Sequence, residues 1–126
     1  MNDLALGTGV LAVLLALCLL FAALSARTLR DAEQPLRSAE ALLAQDACRD
    51  ALPQALDAQA RWSQAQKYFS CILGHEELDG VAYGFERLCR YTACGETAEA
   101  RVAAAELRAM LEHLRRMDLP YYYNIL

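Results

Sequence analysis

The sequence predicts an all-α protein, with one N-terminal transmembrane helix followed by an antiparallel bundle of about four amphipathic helices. Three observations predict it. Leu4–Leu24 is a run of 21 residues without a charge in a chain of 126. Beyond Arg27 the apolar residues recur at steps of three and four and nowhere alternate as a half-buried strand does. Helix-breaking and capping residues interrupt that rhythm at a few short segments. The organisation expected is an anchor over 1–26, a helical bundle over 27–117 and a C-terminal tail over 118–126.

The anchor comes first. A hydrocarbon core of about 30 Å needs roughly 20 apolar residues at about 1.5 Å each, a length that Leu4–Leu24 meets before Arg27 and Arg30 stop it. A cleaved signal peptide is the competing reading, since Ala23-Leu24-Ser25-Ala26 offers small residues for cleavage. Only Met1, Asn2 and Asp3 precede the run, however, with no Lys or Arg for an n-region. Leu17 before Cys18 stands where lipoprotein processing needs a small residue. Ala5, Gly9, Ala12 and Ala16 share one helix face, a small-residue stripe against which a second transmembrane helix can pack closely. Arg27, Arg30 and Arg37 follow the segment and nothing basic precedes it, which by the positive-inside rule places the following domain in the cytoplasm.

Four seams follow the anchor. Leu29, Ala32, Leu36, Ala39 and Leu43 form the first, with Pro35 expected to kink that helix or to start it afresh. The second is Ala55, Ala58, Trp62, Ala65, Phe69 and Ile72, with Asp50 as its expected cap and Pro53 in its first turn. The third is Leu78, Val81, Phe85, Leu88 and Thr92. Gly74 is expected in the left-handed conformation that closes the helix before it, and Gly95 is expected to end the third. The fourth, opened by Thr97 or Glu96, is Ala103, Leu107, Met110, Leu114 and Met117. Short connections make such a bundle run up and down. The segments near 46–50 and 94–96 are then distal, and the segment at 74–77 and the C-terminus lie near the bilayer. Tyr121, Tyr122 and Tyr123 would sit at headgroup depth.

Composition narrows the function. The part beyond Leu24 holds all twelve Lys and Arg and fifteen of the sixteen acids, with no basic run, so nucleic acid is not an expected partner. The five cysteines admit free thiols, a disulfide or a metal site. A zinc set from Cys71, His75, Cys89 and Cys94 fails because Cys71 and Cys94 fall at opposite ends of the bundle, roughly 30 Å apart. A Cys48–Cys94 or Cys48–Cys89 disulfide remains open beside buried thiols acting as small apolar residues. His75 and His113 stand among Glu76, Glu77 and Glu112 at the proximal end, and Trp62 is a core anchor or a ligand platform. Pairs such as Asp57–Arg61 and Glu112–Arg116 belong to solvated helix faces. No nucleophile with its base, phosphate loop or HExxH pattern is present, and neither an enzyme nor a cofactor is expected.

From Ala51-Leu52 through Trp62, Tyr68-Phe69 and His75-Glu76-Glu77-Leu78, the chain resembles the uncharacterised bacterial membrane-anchored family Domain of Unknown Function 4363. The pattern is carried by Trp62, Phe69, Ile72, His75, Glu77 and Leu78, then by Leu111-Glu112-His113 and by the closing Asn124-Ile125-Leu126. The cysteines lie outside it. The resemblance implies one apolar N-terminal helix, a helical remainder, no assigned activity and a membrane-protein partner. Members carry Lys or Arg before the anchor, as suits a domain held outside; their absence here sets the resemblance against the charge count. The expectation is a single-pass protein of the cell membrane, a noncatalytic accessory or interaction module with a membrane-protein partner or a second copy of itself. The alternative is a small-ligand or pH-sensing domain using Trp62, His75, Glu77 and His113.

Overall fold

The computed structural model describes residues 2–70 and 73–118, without the side chains of the last two. Helix α1 runs from Asn2 to Ala44, α2 from Cys48 to Phe69, α3 from His75 to Ala93 and α4 from Thr97 to Asp118. No strand occurs among the described residues. Each helix packs against its neighbour in sequence and α4 closes back on α1, so the four form an antiparallel ring about one core.

The apolar run and the first bundle helix are one element. α1 is 43 residues long, about 65 Å at the helical rise, and no interruption marks positions 26 and 27. Its apolar stretch is almost wholly exposed, so it is not the bundle's core, and the helix is long and apolar enough to cross a membrane.

Pro35 does not restart the helix. Lacking an N–H, it leaves the carbonyl of Asp31 without its intrahelical donor. Arg61 of α2 supplies one: its Nη1 donates to Asp31 O at 3.2 Å. The proline ring is itself buried.

The first three seams form the core as expected, from Leu29 to Leu43, Ala55 to Phe69 and Leu78 to Thr92. Ile72 lies outside the described residues. In α4 the core is Ala100, Ala103, Ala104, Leu107, Leu111 and Leu114, while Met110 is only half-buried; the side chain of Met117 is not described. Alanines supply four of the six core residues of α2 and three of the six of α4, which permits close approach of their neighbours. Gly84 of α3 marks a close approach to α4: a Cβ there would stand 2.9 Å from a Leu107 methyl carbon. Trp62, 1% exposed, fills the centre and stacks on Phe69 and Phe85 at centroid distances of 6.1 Å each. Its Nε1 is buried with no hydrogen-bond partner among the described residues.

Both distal helix ends close in the same way. At the end of α1 the N–H of Ala47 donates to Leu42 O and that of Asp46 to Leu43 O, with Asp46 at φ 58°. At the end of α3 Glu96 donates to Tyr91 O and Gly95 to Thr92 O, with Gly95 at φ 74°. Both are Schellman closures. Gly95 is as expected; Asp46 takes the left-handed position because a short polar side chain tolerates it better than most.

Three expectations are corrected. Gly74 is extended (φ −65°, ψ 152°) and forms the N-cap of α3, not the left-handed closure of α2. α2 starts at Cys48 behind Ala47, so Asp50 lies in its first turn rather than at its cap. Pro53 consequently falls inside the helix, one turn later than expected.

Two substitutions test this packing. Trp62→Ala should lower stability by about 3–5 kcal/mol in chemical denaturation. Trp62→Phe should cost less than about 1.5 kcal/mol, because it keeps an aromatic ring in the stack and removes the orphaned N–H.

Candidate functional site

The polar organisation of the bundle concentrates on the seam between α1 and α4. Arg101, Arg108 and Arg115 recur every seven residues, so they share one face of α4. The antiparallel run sets them opposite Asp46, Glu40 and Glu33 of α1. Arg101 Nη2 reaches Asp46 Oδ1 at 2.6 Å and Arg108 Nη1 lies 3.5 Å from Glu40 Oε2. Arg115 pairs with Glu33, whose side chain is only 10% exposed. Arg101 also donates from Nε to Leu43 O at 2.8 Å and from Nη2 to Ala44 O at 3.2 Å. The last turn of α1 has no basic residue of its own, so a guanidinium from α4 satisfies its terminal carbonyls.

At the proximal end this seam opens into a groove of about 660 Å³. Its apolar wall comes from Phe21, Ala22 and Leu29, and its polar wall from Arg30, Glu33, Arg37 and Arg115. Arg37 Nη2 stands 3.9 Å from Glu33 Oε2, so two guanidinium groups attend one carboxylate. Arg30 forms no ion pair among the described residues, which leaves the groove with a surplus of positive charge.

Beside the groove the bundle grips the end of the apolar run. The Tyr68 ring of α2 stacks on Phe21 at 5.2 Å, and Tyr68 Oη donates to Phe21 O at 3.4 Å. Ser25 is buried, and its Oγ donates to the same carbonyl at 2.9 Å.

The residues singled out in the sequence do not form one site. Trp62 is inside the core, whereas His75 and His113 are exposed on separate helices. Neither histidine has a hydrogen bond or ion pair among the described residues. Glu77 is exposed and folds back over Gly74, where a Cβ would stand 2.8 Å from Glu77 Oε2; it complements the start of α3. Ala5, Gly9, Ala12 and Ala16 all lie on the uncovered part of α1. Tyr121, Tyr122, Tyr123 and the closing Asn124-Ile125-Leu126 lie outside the described residues, as does Cys71. The solvated pairs appear as expected, Arg61–Asp57 at 3.3 Å and Arg116–Glu112 at 3.2 Å. What sequence reasoning missed is the α1–α4 seam, although the heptad spacing of Arg101, Arg108 and Arg115 was there to find.

A family model described as "Domain of unknown function (DUF4363)" matches residues 24–125, which include the whole bundle and leave out most of the apolar run. No curated protein and no solved structure matches the chain.

Of the described cysteines, Cys89 and Cys48 pack against the core. Cys48 and Cys94 are both free thiols; Cys48 Sγ shares a hydrogen bond of 3.1 Å with Thr97 Oγ1 of α4. Cys89 is buried and donates weakly to Gln59 Oε1 at 3.6 Å. Burial pushes its thiol from the ordinary 9.0 up to about 11, because the thiolate would lose its hydration. Among the described residues no group of His, Cys, Asp or Glu is placed to hold a metal. At pH 8 roughly one Cys89 in a thousand is ionised. Maleimide labelling of the folded protein, read by peptide mapping, should therefore modify the exposed Cys94 quickly and leave Cys89 unmodified until denaturant is added. Equal rates in the native state would contradict its burial.

Proposed function

The chain belongs to the DUF4363 family, and from its geometry we propose that it is a single-pass membrane protein of noncatalytic function, an accessory or interaction module of a membrane complex. α1 serves as both anchor and first bundle helix. The observation that carries this reading is the contact of Tyr68 of α2 with Phe21, a stacked ring and a hydrogen bond to its carbonyl. Cleavage after residue 25 or 26 would remove Phe21 and cut a continuous helix, so the bundle is built to keep the segment that a signal peptidase would discard. A helix without a joint also fixes the orientation of the bundle on the bilayer, which suits a part that presents a surface to a neighbouring membrane protein or to a second copy of itself. The small-residue face of Ala5, Gly9, Ala12 and Ala16 is uncovered and suited to such a neighbour.

The small-ligand or pH-sensing alternative draws less support. Trp62 is sealed in the core, and the exposed His75 and His113 have no partner among the described residues through which protonation would act on the fold.

Two measurements test the proposal. The mature protein should keep the residues before Phe21 and stay in the membrane pellet through alkaline carbonate extraction. A mature chain starting near residue 26 in the soluble fraction would refute the anchor. Mild-detergent purification of the tagged chain should recover an integral-membrane partner or a homo-oligomer, and recovery only as a lone monomer would count against the accessory role.

A further inference from the structure

We propose that the proximal groove between α1 and α4 binds the phosphate headgroup of an anionic phospholipid. The proposal rests on the membrane-anchored reading above and adds a ligand to it. Three features of the groove converge on this chemistry.

The first is charge. Arg30, Arg37 and Arg115 face a single carboxylate, Glu33, which is mostly buried and is engaged by Arg115 and Arg37. Guanidinium groups are planar donors suited to phosphate oxygens, and this set keeps a surplus of positive charge after Glu33 is neutralised. Arg30, with no ion pair of its own among the described residues, is the group most available to an incoming anion.

The second is the apolar wall. Phe21, Ala22 and Leu29 line the same groove, and Phe21 and Ala22 belong to the apolar run itself. An amphipathic ligand with one anionic end and hydrocarbon beneath it therefore matches both walls, whereas a free anion matches only one.

The third is depth. Arg30 lies six residues past Leu24, about 9 Å along the helix, and α1 side chains lean back toward its N-terminus. That places its guanidinium at the headgroup layer, which extends roughly 5–8 Å beyond the hydrocarbon. Arg37, a further seven residues away, forms the outer rim and adds to the field that draws the anion in.

The experiment uses the full-length protein in detergent with equal phosphatidylglycerol and phosphatidylcholine, read by native mass spectrometry. Phosphatidylglycerol should be retained about tenfold over phosphatidylcholine, a difference of about 1.4 kcal/mol. Arg30→Gln combined with Arg37→Gln should abolish that preference; both side chains are exposed, and retained helicity by circular dichroism confirms folding. Arg49→Gln, at the exposed distal start of α2, should leave the preference intact. Equal retention of the two lipids, or an undiminished preference in the double variant, overturns the proposal. Displacement of the lipid by millimolar inorganic phosphate would make this a free-phosphate site and overturn it equally. Failure of the anchor is distinct: it appears as a chain lacking Phe21, whereas an intact membrane-embedded chain without lipid preference defeats only the headgroup site.

Discussion

The continuity of α1 is the constraint on which the rest depends. A single helix of 43 residues carries both the apolar run and one wall of the bundle, so every contact that α2 and α4 make with its second half also fixes the direction of its first half. Such a helix faces two hazards. Pro35 removes an internal hydrogen bond, which in a helix interior costs about 3 kcal/mol, and the C-terminus has no basic residue of its own to meet its terminal carbonyls. Each defect is answered by an arginine from another helix: Arg61 on Asp31 O, and Arg101 on Leu43 O and Ala44 O. These bonds do not merely decorate the surface, because the helix completes its hydrogen bonding only when the bundle has formed around it. Folding of the bundle and integrity of the long helix are therefore coupled.

The apolar seams were legible because they obey a period. Leu29, Ala32, Leu36, Ala39 and Leu43 could be read as one face without knowing what they met, and all are buried. The same rule failed slightly in α4, where Met110 and Leu111 are adjacent and the period alone cannot say which faces inward; Leu111 does. Helix ends were less legible. Gly74 and Gly95 look alike in sequence, yet only Gly95 adopts positive φ, and the other left-handed closure falls to Asp46. A glycine permits that conformation without requiring it, and neighbouring backbone bonds decide. The repair of Pro35 by Arg61 could not be read locally at all, since donor and acceptor are thirty residues apart.

The candidate site was hidden for a related reason. The sequence draws the eye to rare residues, and so to Trp62, His75, His113 and the cysteines. Trp62 and Cys89 prove to be core, and His75, His113 and Cys94 surface. The polar geometry is built from arginines and acids, each unremarkable alone, whose meaning lies in the antiparallel register of α1 and α4. Once that register is known, Arg101, Arg108 and Arg115 fall opposite Asp46, Glu40 and Glu33 in order.

That seam is also asymmetric along its length. At the distal end Arg101 is fully employed, with Asp46 and two helix-terminal carbonyls around it. In the middle Arg108 has Glu40. Only toward the apolar run does cation outnumber acid, through Arg30 and Arg37 beside the single Glu33. A gradient of this kind does little for stability, because exposed arginines without partners contribute almost nothing to folding. Its effect is electrostatic and local: the bundle presents its unbalanced charge beside the apolar run of α1, and presents balanced pairs farther away. A helix that must hold a fixed depth gains from charge placed at the end of such a run, since arginines there resist being drawn into hydrocarbon while the apolar run resists being drawn out. On the proposed membrane reading, Arg30 and Arg37 of α1, rather than the arginines that close α4 onto it, set how deep the helix sits.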